Sequence, residues 1–369
     1  MKILFGTYVT IPEFHQPDAW LHRIEGYKEI LEKLSADNEV LSIEQISYEG
    51  IYHFNGVEYH FKRFRYKHRL ARFFPFRQHR YMQQLKPDAV IVHGLHFAIQ
   101  TIQLRLKLGW KVKIIAQHHA EKPAKGIRKW IQWVASHCID AYMFTAHETG
   151  KEWVKGGNIR YPAKIREVME ASSIFYPEDK ARARAKTQVS GKTVFLWVGQ
   201  LSKRKDPITA VKAFLQFLPH NPGARLYMIY QAEELLPAIE ELLNADPAYR
   251  QAVMLVGRVP HRELQPWFNS ADFVIAPSHY EGSGVAVAEA MSCGCIPLLT
   301  DILSFRMMTG YGYCGRLFPV ADVEALRTVL LQTLSMDLEE ERKKTLEQFR
   351  SQLSFEAIAK HIQEVIASV

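Results

Sequence analysis

A chain of 369 residues, 47% hydrophobic and 23% charged, has the composition of a globular protein, and at ~100–200 residues per domain it suggests two domains. A net charge of +8 and a pI near 9.1 favour acidic partners such as phosphates, anionic lipid or nucleic acid. No apolar run approaches the ~20 residues that span a bilayer, the opening MKILFGTYVTIPEF turns polar too soon for a signal peptide, and Cys138, Cys293, Cys295 and Cys314 are too few for a disulfide framework, so a soluble cytoplasmic protein with buried free thiols is expected.

Residues 2–7 read as a strand turning at Gly6, followed by a loop rich in aromatics and proline and a helix over 18–34, the way an α/β domain begins. Between Glu58 and Asp88 there is no acidic residue, while Lys62, Arg63, Arg65, Lys67, Arg69, Arg72, Arg77 and Arg80 alternate with phenylalanines and tyrosines. Three readings stay open. The stretch is a solvated face with aromatics turned inward, or a surface for an anionic membrane at about 1 kcal/mol per cation, or a nucleic-acid surface. Nucleic acid is the least favoured, because no other nucleic-acid motif accompanies it. Apolar strands at 89–93, 112–117 and 141–145 alternate with helices near 96–108 and 126–138, giving a first doubly wound domain. His93, His96, His118 and His119 fall at strand ends; without a helical H-x(3)-H pair they do not make a metal site, and none is assigned. The polar stretch 178–192 shows no clear periodicity and reads as the domain boundary.

Residues 193–199 (TVFLWVG) open a second sheet, and Asp206-Pro207 is a helix start, with Asp at the N-cap and Pro in the first turn. The turn between them carries Lys203, Arg204 and Lys205, which either neutralise a diphosphate or form a solvated basic turn. Strands at 224–230, 252–256 and 272–276 then alternate with helices at 233–243 and 261–269. Residues 273–300 (FVIAPSHYEGSGVAVAEAMSCGCIPLLT) read as strand, glycine-spaced turn, helix and strand, which puts Glu281, Gly282, Ser283 and Gly284 beyond the carboxyl end of a strand, where ligands bind such sheets. With a helix starting near Ser283, Glu289 lies roughly 9 Å along it. The two carboxylates can accept from sugar hydroxyls, and the first-turn N–H groups near Ser283 to Val285 suit a phosphate. The same spacing recurs at Glu170/Glu178, Glu233/Glu241, Glu339/Glu347 and Glu356/Glu364, so only its context is specific. Residues 316–318 are a last strand, the chain is helical beyond Asp322, and 355–369 is amphipathic.

Strand, Glu-Gly-Ser-Gly turn, Glu-x(7)-Glu and EAMSCGCIP together resemble the donor-site signature of retaining family 4 glycosyltransferases with the GT-B fold, strongly over 194–320 and weakly before 177. The resemblance implies an α/β protein of two facing Rossmann-like doubly wound domains with a cleft between them. Residues 1–177 would form the acceptor side, 178–350 the donor side, and 351–369 a helix crossing back to the N-terminal domain. It implies Glu289 on the ribose hydroxyls, Glu281 beside the donor hexose, Gly282, Ser283, Gly284 and Val285 along the donor, and Lys205 on the diphosphate. Gln200 stands where the family carries arginine, so Arg204 compensates or donor affinity is lower. Gly6 and Thr7 would face the cleft, without the family's glycine pair. His119 occupies the place of a cleft histidine that contacts the transferred sugar, a buried structural histidine being the alternative; with Glu281 it makes the catalytic pair. Glu170-Ala171-Ser172-Ser173 replaces the usual Asn-Gly-Val-Asp at the interdomain crossing.

The implied activity moves a hexose-type sugar from a nucleotide sugar, UDP ahead of GDP, to a hydroxyl of a lipid-linked or cell-envelope acceptor with retention of configuration. No Asp-x-Asp occurs, so neither a metal nor another cofactor is expected. Several family members are peripheral membrane proteins, which implies a membrane patch at Lys62, Arg63, Arg65, Lys67, Arg69 and Arg72 on the inner face of the membrane. The rivals are a sugar-nucleotide epimerase or phosphorylase of the same fold, the phosphorylase needing a pyridoxal lysine that the sequence does not identify, and a catalytically idle basic protein that binds membrane or RNA.

Overall fold

The computed structural model describes residues 1–64 and 73–369. The chain divides into two compact units, Met1–Ser172 with Phe355–Val369, and Ser173–Ser354. The division falls after Ser172 rather than after Pro177, and the stretch read as a linker holds a helix, Lys180–Thr187. That helix escapes a periodicity search because Ala183 is its one buried residue; ionic contacts fix it instead. Asp179 caps it by accepting from the Arg182 N–H at 2.8 Å, and Lys180 and Arg184 both pair with the buried Asp272.

In the first unit, β1 (Lys2–Gly6), β2 (Glu39–Glu44), β3 (Gly50–Phe54), β4 (Val57–Phe61), β5 (Ala89–His93), β6 (Lys113–Gln117), β7 (Ala141–Phe144) and β8 (Ile165–Glu167) form one sheet in the order β3-β4-β2-β1-β5-β6-β7-β8. All neighbours are parallel except β3 against β4. Ile3-Leu4-Phe5 and Val90-Ile91-Val92 are buried without alternation, as expected for strands covered on both faces. The sequence reading missed β2, β3, β4 and β8. A hairpin signal was nevertheless present: Asn55-Gly56 joins β3 to β4 with φ of 46° and 82°, the positive pair that a type I′ turn demands. The helix read over 18–34 is two, Pro17–Arg23 and Glu25–Leu34, broken at Ile24. The last helix, Phe355–Ala367, packs on Glu25–Leu34, with Lys33 bonded to Glu356 at 2.7 Å and Lys113 Nζ donating to the Ile366 carbonyl at 2.7 Å.

In the second unit, β9 (Thr193–Gly199), β10 (Ala224–Tyr230), β11 (Val253–Gly257), β12 (Phe273–Ala276), β13 (Ile296–Thr300) and β14 (Arg316–Phe318) form an all-parallel sheet in the order β11-β10-β9-β12-β13-β14. Phe195 of β9 stacks on Phe273 of β12, centroids 5.1 Å apart, within a core that also buries Trp197, Phe214 and Phe217. Strand order runs outward in opposite directions from β9 and β12, and in the first unit from β1 and β5. These are topological switch points, where loops diverge and leave a crevice beyond the strand ends. The four cysteines are free thiols; burial pushes Cys293 and Cys314 up to about 12, so both stay protonated and inert.

Candidate active site

The switch point of the second unit brings two loops side by side. The turn after β9 runs into the helix Pro207–Phe217, capped by Asp206, whose carboxylate accepts from the Thr209 N–H at 3.2 Å and the Thr209 hydroxyl at 2.7 Å. The loop after β12 is pinned to this turn where the His279 N–H donates to the Arg204 carbonyl at 2.9 Å. The pinning sets the side chains. Lys205 Nζ donates to Glu281 Oε1 at 2.5 Å, and Arg204 Nη1 donates to Glu281 Oε2 at 3.1 Å and to the Tyr280 carbonyl at 3.0 Å. Glu281 keeps only 8% of its side chain exposed, and two cations satisfy a carboxylate at that depth.

The following helix is Val285–Ser292, so Ser283 belongs to the turn and not to the helix. Gly284 precedes it in the left-handed region at φ 56°, and a Cβ there would sit 3.0 Å from Met308 Sδ and Phe305 Cε1, so glycine is required by backbone and by space. Gly284 and Ala286 line one recess with Trp197, Lys205, Ser278 and Glu281. Further along the helix, Glu289 is buried and accepts from His261 Nε2 at 2.5 Å, and the His261 ring lies 5.2 Å from that of Phe175. Gln200 and Lys203 are exposed.

At the switch point of the first unit, the loop after β1 is strapped down. The Thr7 carbonyl accepts from Gln45 Nε2 at 2.9 Å and Gln78 Nε2 at 2.8 Å, and Tyr8 Oη meets His79 Nε2 at 2.9 Å. Gly6 leaves room for Met82, whose Cε would lie 2.5 Å from an added Cβ. Burial pushes His79 down to about 4, so it is neutral at physiological pH. The two histidines after β6 differ. His118 is buried, with Nδ1 accepting from the Ala120 N–H at 3.3 Å and Nε2 donating to the Glu121 carbonyl at 2.9 Å, and it fixes a turn in which Ala120 adopts φ 63°. His119 keeps 38% of its side chain exposed; its Nδ1 pairs with Glu170 and its Nε2 meets His93 Nδ1 at 2.9 Å. Burial works against its protonation, but the bond and charge of Glu170, with the charge of Glu121, prevail and raise it above the ordinary histidine value. Among the described residues no group of three or more His, Cys, Asp or Glu is placed to hold a metal ion.

Residues 179–352 match the family described as "Glycosyl transferases group 1". Over that stretch, just under half of the chain, the second unit is similar to the group 1 glycosyl transferases. The chain is 26% identical over 234 residues, 61% of its length and 59% of the relative's, to the GDP-mannose:cellobiosyl-diphosphopolyprenol alpha-mannosyltransferase of Xanthomonas campestris. It is 33% identical over 144 residues to the D-inositol 3-phosphate glycosyltransferase of Acidothermus cellulolyticus, covering 36% of this chain and 32% of that one. The matches thus span less than two thirds of either relative. Among solved structures, a glycosyltransferase from Rickettsia africae superposes with a TM-score of 0.74 at 13% identity over 100% of this chain and 98% of its own. Anabaena HepE with UDP and glucose superposes with a TM-score of 0.68 at 13% identity, covering 100% of both chains. At that identity the likeness concerns the fold, which is GT-B, with two Rossmann-like domains.

In the second unit the structure gathers Lys205, Glu281 and Gly284 at one recess, bonds Arg204 to Glu281, and sets Glu289 on the adjoining helix with His261, which the sequence reading passed over. His261 follows Pro260 just beyond β11, the same end of the sheet, and that position was its one sequence signal. In the first unit the sequence reading missed His93 and Glu170 as partners of His119, and Tyr27 as the partner of His93. Of the basic stretch, Lys62 lies with Nζ 5.2 Å from the centroid of the Tyr81 ring and Arg63 is exposed, while Arg65, Lys67, Arg69 and Arg72 lie outside the described residues.

Proposed function

We propose that the protein is a retaining glycosyltransferase that moves a hexose-type sugar from a nucleoside diphosphate sugar to a hydroxyl of a lipid-linked or cell-envelope glycan. The observation that carries this reading is the meeting of Lys205 and Arg204 with Glu281 at a recess bounded by the Gly284 turn. Two cations meet the charge of the departing diphosphate, so the reaction needs no metal. Glu281 accepts from a hydroxyl of the donor sugar, Glu289 from the ribose hydroxyls, and the Gly282 to Val285 turn lies along the donor. His119 acts on the transferred sugar, and Gly6 and Thr7 belong to the loop that meets the acceptor. The C1–O bond to the diphosphate breaks with its electron pair leaving on the phosphate, the acceptor oxygen forms the new bond on the same face, and the acceptor proton passes to the leaving phosphate. The printed name of the Xanthomonas relative favours GDP and a diphosphopolyprenol-linked acceptor, whereas the HepE complex favours UDP. Thermal stabilisation by UDP-, GDP-, ADP- and dTDP-sugars, with and without EDTA, tests the reading, because a site-specific ligand raises the melting point by mass action. A shift with one donor that survives EDTA is expected; no shift with any donor would overturn it.

We infer also that the first unit docks on an anionic bilayer. Residues 59–139 hold 17 Lys and Arg against two acidic residues, Asp88 and Glu121, so this stretch more than accounts for the net charge of +8. Its helices Phe76–Gln84, Ala98–Leu108 and Ile127–Cys138 pack side by side and leave Phe74, Phe76, Leu106, Trp110, Ile127 and Trp130 exposed among these cations. Among the described residues no helix is long and apolar enough to cross a membrane, so the contact would be interfacial. Replacing Ile127 and Trp130 with Ser should cost about 2 kcal/mol, roughly 30-fold, in cosedimentation with phosphatidylglycerol vesicles. Undiminished binding would rule out this face.

A further inference from the structure

His119 belongs to a chain of four hydrogen-bonding groups that runs from Tyr27 to Glu170. Tyr27 Oη lies 2.6 Å from His93 Nε2, His93 Nδ1 lies 2.9 Å from His119 Nε2, and His119 Nδ1 contacts Glu170 Oε2. The four side chains come from separate parts of the first unit: the helix Glu25–Leu34, the end of β5, the loop after β6 and the loop after β8. Both nitrogens of both imidazoles are therefore occupied. We propose that Glu170, His93 and Tyr27 are positioning residues for His119, holding its ring in one orientation and reversing their own hydrogen-bond polarity when it gains a proton.

Counting protons shows why. A carboxylate only accepts, so His119 Nδ1 carries hydrogen in either state. In neutral His119, Nε2 must accept, so His93 donates from Nδ1 and accepts at Nε2 from the Tyr27 hydroxyl. In protonated His119, Nε2 donates to His93 Nδ1; neutral His93 then carries its hydrogen on Nε2 and donates it to Tyr27 Oη. One proton added at His119 flips every bond back to Tyr27, and each heavy atom stays in place.

The surroundings favour this division of roles. Burial, then the neighbouring His119, pushes His93 well below the ordinary histidine range, so it stays neutral and bridges. Glu121 receives the His119 N–H at 2.7 Å, the Leu95 N–H at 3.0 Å and His96 Nδ1 at 3.1 Å. Burial opposes its ionisation, but these bonds and the nearby His118 hold it down at about 2, a fixed negative charge beneath His119. Tyr27 is pushed well above its ordinary value by burial and by the charge of Glu44, so it remains a hydroxyl. A hydroxyl ligand that approaches His119 Nε2 must take over the bond now made by His93, while Glu170 keeps the ring from turning; this last step rests on the glycosyl-transfer reading, whereas the chain of bonds does not.

The test is histidine-selective NMR titration of the full-length protein. His119 is expected to titrate above His93, and Glu170→Gln, which keeps an acceptor but no charge, should lower the His119 midpoint by about one pH unit, a tenfold loss of proton affinity. The His93 tautomer should switch from Nδ1–H to Nε2–H as His119 takes up its proton, and Glu170→Asp should restore most of the His119 midpoint, which a merely structural role would not do. In turnover assays Glu170→Gln should lower kcat roughly tenfold or more with donor affinity unchanged, and the alkaline limb of the pH profile should move with the NMR midpoint. A His119 midpoint unchanged in Glu170→Gln, or a His93 tautomer that stays the same across the His119 titration, overturns the proposal. Shifted midpoints in a protein that transfers no sugar would uphold the chain of bonds and sink the functional reading alone.

Discussion

Glu281 occupies the two cations that a diphosphate would need on the proposed reading, and substituting it should separate the two halves of a donor. Lys205 and Arg204 approach it at 2.5 and 3.1 Å, and its side chain is 8% exposed. In Glu281→Gln the acceptor shape is kept and the charge removed, so a diphosphate entering the recess no longer meets a carboxylate. Two unit charges ~5 Å apart at an effective dielectric of ~20 repel by about 3 kcal/mol. The Arg204 side chain is 47% exposed and screens part of this, leaving about 1–2 kcal/mol, or roughly 5- to 30-fold tighter binding of UDP or GDP alone. For the corresponding nucleotide sugar the same change deletes a charge-assisted bond from a sugar hydroxyl, at about 1.5–3 kcal/mol. The preference for nucleotide sugar over bare nucleotide should thus fall roughly 10- to 150-fold. Isothermal titration of both ligands at low and high salt measures it, and the gain for the bare nucleotide should shrink as salt rises. A preference equal to that of the wild type, or a bare nucleotide that binds more weakly, would refute the assignment of Glu281 to the sugar.

Glu289→Ala removes the buried carboxylate that accepts from His261; with two ribose bonds at about 1.5–3 kcal/mol each, nucleotide affinity should fall at least 100-fold, and unchanged affinity in the same titration would remove the ribose assignment. Glu44, held by Ser42 Oγ at 2.6 Å and Trp20 Nε1 at 3.0 Å, is raised to about 7, by burial first, against those two bonds. Because its folded value is raised, its contribution to stability is complete below the ordinary carboxylate value and is lost as pH rises through about 7. Glu44→Gln, which cannot ionise, should therefore gain on the wild type between pH 5 and 8 by on the order of 2 kcal/mol, read from urea midpoints; a difference that is the same at both pH values would refute the buried-acid account.

The second unit was the legible half of the chain, for a physical reason. A parallel strand covered on both faces needs a continuous apolar run, and TVFLWVG and ARLYMIY are such runs, so 193–199 and 224–230 were read to the residue. The edge hairpin β3–β4 has no such run, and its Asn55-Gly56 turn was overlooked. The helix Lys180–Thr187 is fixed by ionic pairs that leave no apolar period. Site residues divide along the same line. Lys205, Glu281, Gly284 and Glu289 lie on two loops and a helix whose motif is contiguous, so pattern alone could bring them together. The histidine cluster could not be found that way: Glu170 arrives from beyond β8 and Tyr27 from a helix before β2, and no spacing in the sequence relates either to His119.

What the sequence motif does not convey is which protein groups its residues bind. Glu281 holds two cations, Glu289 holds His261, and His119 holds His93 and Glu170, so on the proposed reading each contact made to a donor would replace an internal one of similar kind. Affinity is then a difference between two sets of charge-assisted bonds. The unbound arrangement also avoids leaving a buried carboxylate uncompensated, which costs several kcal/mol. A transferase must release its nucleotide diphosphate after each turn, and partners that re-form within the protein lower the barrier to that release. By this logic, variants that deprive Lys205 of Glu281 should hold the bare nucleotide longest, and slow nucleotide release, more than slow chemistry, should limit their turnover.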